Sequence, residues 1–134
     1  MEPAYAPGDL VVASPLRDPV VGTPVIFEHP GREGFWLLKR LVGLPEDELE
    51  IVEGVLTVNG SVLEEPWTDG TAPGPPVSLR VPADSVFVMS DARSRTLADS
   101  RTMGPVPVAS LYRVRFTYWP PSRIGSSRIP GSGR

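Results

Sequence analysis

Apolar residues fall in short runs along this chain, and the runs alternate with single polar residues or end at Gly, Pro or Asn. Short runs rich in Val, Leu, Ile and aromatic residues are typical of β-strands, whereas an amphipathic helix needs a longer pattern with a period of about 3.6 residues. We predict strands at Leu10–Ala13, Val25–Phe27, Phe35–Val42, Glu48–Val52, Val55–Val58, Ser61–Leu63, Val77–Val81, Val86–Met89 and Tyr112–Trp119. The pattern therefore predicts a single, mostly β domain with little helix.

Turn-forming residues separate the central runs. Glu53-Gly54 and Asn59-Gly60 each connect two predicted strands. Asn-Gly supplies the positive φ angles that a tight hairpin needs, so we expect hairpins at these positions.

Longer connections follow from composition. Thr68–Pro76 has the composition of a loop, and Val106–Leu111 is the one segment that resembles a helical turn. Residues 120–134 are mainly Pro, Gly, Ser and Arg, with three Arg and no acidic residue. We expect a domain of residues 1–119 followed by a disordered tail of residues 120–134.

The composition excludes several kinds of site. With no cysteine and one histidine, the chain has no Cys-ligated zinc site, no cysteine nucleophile and no disulfide. The net charge of −3 argues against a dedicated nucleic-acid-binding protein. No run approaches the ~20 apolar residues that a membrane-spanning helix needs.

The basic residues point to one candidate for acid-base chemistry. Twelve of the thirteen are Arg, and Lys39 is the single lysine. Period-two alternation places Lys39 on the same strand face as Phe35, Leu37 and Leu41. Burial lowers the pKa of an amine, so a buried lysine can act as a general base near neutral pH. The alternative is an edge-strand lysine that reaches water and blocks aggregation.

Two other segments are polar enough to carry chemistry. His29 precedes Pro30 and is expected in a turn, either as the base of a catalytic triad or as a solvated loop residue, and no Gly-x-Ser-x-Gly motif accompanies it. Residues 91–101 follow the predicted strand Val86–Met89 and contain two Asp, three Arg and three hydroxyl residues. They predict either a buried polar network at a catalytic site or a solvated loop.

Seven short motifs occur in an order that is specific to one family of proteases. They are Met1-Glu2-Pro3, Gly8-Asp9, the Lys-Arg-Leu-Val-Gly-Leu-Pro-Glu-Asp sequence at 39–47, Val58-Asn59-Gly60, Ser90-Asp91-Ala92-Arg93, Asp99-Ser100-Arg101 and Gly104-Pro105-Val106. With them the chain resembles the type I signal peptidases, the serine-lysine proteases that remove signal peptides from exported proteins. The resemblance covers roughly residues 1–120.

The resemblance implies a catalytic domain of antiparallel β-sheets, in which a serine hydroxyl attacks the scissile carbonyl. Lys39 matches the family's general base, which removes the serine proton and later protonates the leaving amine. No cofactor and no metal are implied. The implied partners are the signal peptides of exported preproteins. The implied location is the cell membrane, with an N-terminal anchor and the catalytic domain on the extracytoplasmic side.

The resemblance also implies roles for residues around the lysine. Thr96 matches the hydroxyl that hydrogen-bonds and orients Lys39, with Ser94 as the alternative because the loop is one residue longer than the usual spacing. Asp99 and Arg101 match a supporting ion pair. The other supporting residues are Ser100, Asp91 and Arg40.

Substrate binding is implied for the strand that carries the lysine. Leu37 and Leu38 match a strand to which substrate adds as a further β-strand. Together with Met1 and Tyr5 they are expected to line small apolar pockets for Ala-like side chains. The long hairpin insert from Glu46 to Pro82 favours a general signal peptidase over a specialised maturation protease of the same family.

The chain departs from the family pattern at other positions besides the longer loop. In the family a serine directly precedes the Met of Met-x-Pro, so we expect the nucleophile and the anchor before Met1 in a longer polypeptide, and we expect residues 1–134 alone to be inactive. Ser90 stands where the family has glycine, and Ala92 stands where it has asparagine. The alternative function is a catalytically inactive β domain that binds extended peptides.

Overall fold

The computed structural model of the chain describes residues 10–68 and 74–118. Most of their regular structure lies in two antiparallel β-sheets. The elements in chain order are β1 (Leu10–Pro15), β2 (Pro24–Glu28), β3 (Trp36–Gly43), β4 (Glu48–Val52), β5 (Val55–Val58), β6 (Ser61–Val62), β7 (Val77–Arg80), β8 (Ser85–Met89), α1 (Ser100–Met103), β9 (Val106–Pro107), a 3₁₀ helix (Val108–Ser110) and β10 (Tyr112–Tyr118). The first sheet has the strand order β1-β10-β2-β3-β8-β9, and the second has the order β6-β5-β4-β7. The prediction of a mostly β fold with little helix is confirmed.

The helical segments differ from the prediction. Val106–Pro107 pairs with β8 as a strand, so the predicted helical turn is confined to Val108–Ser110. The helix Ser100–Met103 was not predicted, because four residues are too few to leave a periodic pattern. Its N-cap is Asp99, whose side chain accepts a hydrogen bond from the Arg101 N–H. Among the described residues, no helix has the length and apolar character that crossing a membrane requires.

Both predicted hairpin turns are present in the second sheet. Glu53 and Gly54 have φ angles of 51° and 80°, and Asn59 and Gly60 have φ angles of 52° and 87°. Positive φ at both central residues is the pattern of a type I′ turn, whose twist matches that of the flanking strands. The turns join β4 to β5 and β5 to β6.

Two hydrophobic cores lie against opposite faces of the β3–β8 pair. Leu41 and Val88 belong to the first core, and Val42 and Phe87 belong to the second. All five residues of β8 are buried. A strand covered on both faces has a continuous apolar run, which explains why the sequence of β8 does not alternate.

Gly43 allows β3 and β8 to approach closely. The register between these strands shifts between Leu41 and Gly43. A Cβ atom at Gly43 would lie 2.9 Å from Phe87 Cβ and 3.0 Å from Leu49 Cδ1, so any side chain there would overlap the second core.

Candidate active site

Lys39 lies inside the first sheet, on a covered face. It pairs with Val25 of β2 and shares its strand face with Leu41, which belongs to the first core. Its side chain is 7% exposed. The predicted apolar environment is confirmed, and the alternative of a solvated lysine is wrong because so little of the residue is exposed.

The amine of Lys39 is hydrogen-bonded to a serine of the neighbouring strand end. Lys39 Nζ donates to Ser90 Oγ at 2.8 Å, and Ser90 is 2% exposed. The register explains the contact: Arg40 pairs with Met89, so the next position of the antiparallel ladder sets Lys39 opposite Ser90. Side chains that are directly opposite each other in such a ladder are close enough to interact.

The surroundings of Lys39 favour its neutral form. Burial is the largest influence and lowers the pKa of the amine below 10.5. The charge of Asp99 opposes this change, the charge of Arg101 adds to it, and the charge of Asp91 opposes it. Because burial dominates, a larger fraction of the amine is neutral near neutral pH than in an ordinary lysine, which a general base requires.

Asp99 organises the end of the loop that follows β8. Its carboxylate accepts from Arg101 Nη2 at 2.8 Å and from Arg101 Nε at 3.0 Å, which is the predicted ion pair. It also accepts from the Ser90 N–H at 2.8 Å. Burial alone would raise the pKa of Asp99, but the hydrogen bonds from Arg101 and from the two backbone N–H groups hold it below 3.8. The carboxylate therefore stays charged and fixes the backbone of Ser90.

A second ion pair holds the start of the same loop. Arg40 Nη2 lies 2.6 Å from Asp91 Oδ2. Burial raises the pKa of Asp91, and the hydrogen bond and charge of Arg40 oppose that rise. The Arg40 guanidinium also lies 5.2 Å from the centre of the Trp67 ring, a cation–π contact. Arg40 and Asp91, the chain neighbours of Lys39 and Ser90, are thus paired with each other.

A third ion pair was not predicted. Arg93 is 2% exposed, and its Nη1 and Nη2 both donate to the carboxylate of Glu65. Its Nε donates to the Ser90 carbonyl at 2.7 Å. No local pattern marks the pair, because its two members are 28 residues apart.

The hydroxyl that contacts Lys39 is neither of the two that were predicted to orient it. Thr96 Oγ1 accepts from the Ala98 N–H at 3.0 Å within its own turn. Ser94, the alternative, is exposed. The hydroxyl that contacts Lys39 comes from Ser90. The one sequence signal that could have indicated Ser90 is its departure from the family's glycine at that position.

The other residues that the sequence singled out, where they are described, form no hydrogen bond with the Lys39 amine. Ser100 Oγ accepts from the Val88 N–H at 2.9 Å and ties α1 to β8. His29 lies in a turn, where its Nδ1 accepts from the Gly31 N–H at 2.9 Å. Met1 and Tyr5, and the predicted tail, lie outside the described residues.

The first half of β3 has one open edge. β2 pairs with β3 along Trp36–Arg40, whereas β8 pairs with it only from Arg40 to Gly43. Among the described strands, nothing pairs with the other edge of Trp36–Lys39. Leu37 and Leu38 lie on this stretch and are half-buried. An extended peptide can add to such an edge.

Comparison with known proteins gives a consistent result. The family model described as "Signal peptidase, peptidase S26" matches residues 1–119. The probable thylakoidal processing peptidase 2 of Arabidopsis thaliana is 32% identical over 92% of this chain and 37% of its own length. The probable signal peptidase I-2 of Synechocystis is 31% identical over 93% of this chain and 62% of its own length. The chain therefore spans less than two thirds of either relative.

A solved structure has the same fold. The crystal structure of a signal peptidase I from Enterococcus faecalis V583 matches with a TM-score of 0.62 and 27% sequence identity. The match covers 74% of this chain and 97% of that one.

Proposed function

Because the chain belongs to the signal peptidase family, peptidase S26, we propose that it carries the catalytic domain of a signal peptidase I-like serine endopeptidase. Its proposed substrates are exported preproteins, from which it removes the signal peptide. The observation that carries the proposal is the buried amine of Lys39, which has a lowered pKa and lies at the end of an open strand edge.

In the proposed reaction Lys39 is the general base. We assign the nucleophile to a serine directly before Met1 in the polypeptide, because Met1-Glu2-Pro3 matches the segment that follows the nucleophile in the family. The serine oxygen bonds to the scissile carbonyl carbon as its proton moves to Lys39 Nζ. The resulting ammonium then protonates the leaving amine as the peptide bond breaks. Lys39 next removes a proton from the water that hydrolyses the acyl-enzyme.

The polar network supports a neutral lysine. Asp99 and Arg101 are paired with each other, and so are Asp91 and Arg40. The electrostatic effects of two paired, opposite charges on a third group largely cancel. Burial therefore remains the main influence on the pKa of Lys39. We propose Asp99, Ser100, Arg101, Asp91 and Arg40 as residues that position the loop and do not react themselves.

The open edge of β3 is the proposed substrate-binding strand. A signal peptide in extended conformation adds its backbone to the edge at Leu37 and Leu38, which brings the scissile bond towards Lys39. We propose that Leu37 and Leu38, with Met1 and Tyr5, form the small apolar pockets that accept Ala-like side chains.

The proposed location is the membrane. Signal peptides emerge at the extracytoplasmic side, and we propose that the catalytic domain acts there. An anchor outside the described residues would hold it at the lipid surface.

Turnover of a signal-peptide substrate tests this function. We would use the chain with a serine placed directly before Met1, assayed in detergent. Cleavage after small residues is expected, and Lys39→Ala should lower kcat by about 10²–10⁴-fold because the base is lost. Arg80→Ala is the control, since Arg80 is exposed and forms a 3.6 Å surface pair. A folded protein that binds the peptide without cleaving it would favour the non-catalytic alternative.

A further inference from the structure

The hydroxyl that contacts Lys39 is not the one that the family resemblance assigns. It belongs to Ser90, at the end of β8, whereas the resemblance places it in the polar loop at Thr96. We propose that Ser90 is the positioning residue of Lys39, and that it holds the amine by one hydrogen bond and leaves its lone pair available to accept the proton of the nucleophile. This inference rests on the proposed function and adds a residue that neither the motif match nor the comparisons assign.

The geometry of a neutral amine explains what the contact does. A neutral Lys39 Nζ carries two hydrogens and one lone pair. Donating one hydrogen to Ser90 Oγ at 2.8 Å restricts rotation about the Cε–Nζ bond. The lone pair is not used in this hydrogen bond, so it remains available to accept the proton of the nucleophile.

Both backbone polar groups of Ser90 are held by side chains. Its N–H donates to Asp99 Oδ2 at 2.8 Å, and its carbonyl accepts from Arg93 Nε at 2.7 Å. With its backbone held in this way, the χ1 torsion of Ser90 alone decides where its hydroxyl lies. Asp99 and Arg93 thereby act on Lys39 through the backbone of Ser90.

The same observations disfavour Ser90 as a nucleophile. Ser90 is 2% exposed, and its hydroxyl faces the buried amine of Lys39. A nucleophile has to reach the carbonyl carbon of a bound substrate, which a covered hydroxyl does not.

The test uses the full chain and needs no turnover. Lys39 is the single lysine, so lysine labelled with a carbon isotope at Cε gives one side-chain signal whose titration reports the pKa of Lys39 directly. We would compare the wild-type chain with Ser90→Ala and with Ser90→Gly, which removes the hydroxyl with a different change in packing. The control is Ser85→Ala, because Ser85 is a buried serine at the other end of β8 and its hydroxyl bonds to Asp84.

We expect both Ser90 variants to lower the pKa of Lys39, because a hydrogen bond donated by the amine favours its charged form. We also expect the chemical-shift difference between the two Hε protons of Lys39 to shrink, because the end of the side chain gains torsional freedom about Cδ–Cε. Ser85→Ala should change neither. If both Ser90 variants fold and keep the wild-type titration and Hε pattern, the proposal is wrong.

Turnover separates this inference from the proposed function. In the chain with a serine before Met1, Ser90→Ala should lower kcat by about 10–100-fold with little change in KM, since one hydrogen bond to the reacting group is lost. A changed titration without turnover in any variant would leave Ser90 as the positioning residue and reject the protease function. Turnover by residues 1–134 alone that Ser90→Ala abolishes would identify Ser90 as a nucleophile and overturn the proposal.

Discussion

The guanidinium of Arg93 and the carboxylate of Glu65 form a buried, bidentate ion pair. The pair joins the segment after β6 to the loop after β8. Arg93 also donates to the carbonyl of Ser90, so the segment that carries Glu65 is tied to the residue that contacts Lys39. The second sheet thereby supports the site of the first.

Removing the carboxylate of this pair should destabilise the fold strongly. Glu65→Ala is expected to lower the free energy of unfolding by about 3–5 kcal/mol, because it leaves a buried guanidinium without its counter-charge. Glu48→Ala is the matched control, since the Glu48–Arg80 pair is exposed and should contribute only about 0–1 kcal/mol. Denaturant unfolding measures both values, and equal losses would contradict the importance assigned to the buried pair.

The pH dependence of the free energy of unfolding should report the titration of the Lys39 amine. Burial lowers the pKa of Lys39 in the folded chain below 10.5, so between these two pKa values the unfolded chain binds more protons than the folded chain. Stability therefore rises with pH across that window. Relative to Lys39→Met, the wild-type chain should gain about 1.4 kcal/mol for each pKa unit by which burial lowers the amine.

Denaturant unfolding of both proteins from neutral pH to pH 10.5 measures this gain. Lys39→Met is used because it keeps the length of the side chain and removes the charge. A stability difference that stays constant over the whole range would mean that Lys39 titrates normally in the folded chain.

Gly43 should tolerate no side chain. Gly43→Ala places a Cβ atom 2.9 Å from Phe87 Cβ and 3.0 Å from Leu49 Cδ1, and overpacking of this kind costs about 1–3 kcal/mol. Gly31→Ala is the control, because Gly31 is exposed and the nearest atom to a Cβ there lies at 3.6 Å. Thermal unfolding of the two variants gives the comparison, and a Gly43→Ala protein as stable as Gly31→Ala would show that β3 and β8 can separate at no cost.

Local features of the fold were predictable because they depend on neighbouring residues. Asn59-Gly60 specifies its hairpin through the φ angles that these residues adopt easily. The alternation around Lys39 predicts its covered face, because the β period is set by the backbone. The helix Ser100–Met103 was missed, since its stability comes from the Asp99 cap and from Ser100 bonding to β8.

The contacts within the site depend on how distant strands align. Lys39 meets Ser90 only because β3 and β8 pair in one register, and that register follows from packing of two cores. The hydroxyl of Thr96, which the resemblance placed beside Lys39, accepts from the N–H two residues further along, at Ala98. Resemblance to a family locates the lysine but does not show which hydroxyl a longer loop leaves beside it.

The proposed role of the Lys39 amine as the general base is open to a direct chemical test. The sequence contains no cysteine, so Lys39→Cys introduces a unique thiol. We would alkylate that thiol in the unfolded chain with bromoethylamine, which restores an amine at the same reach, and then refold. The control reagent is bromoethyl-trimethylammonium, which restores the positive charge but has no lone pair to accept a proton.

The measurement is kcat/KM on a signal-peptide substrate, in the chain with a serine directly before Met1. Lys39→Cys should be inactive, the aminoethylated protein should regain cleavage, and the trimethylammonium protein should remain inactive. Equal activity from both alkylated proteins would contradict the role of Lys39 as the general base. So would an inactive, folded aminoethylated protein when the chain that keeps Lys39 cleaves the substrate.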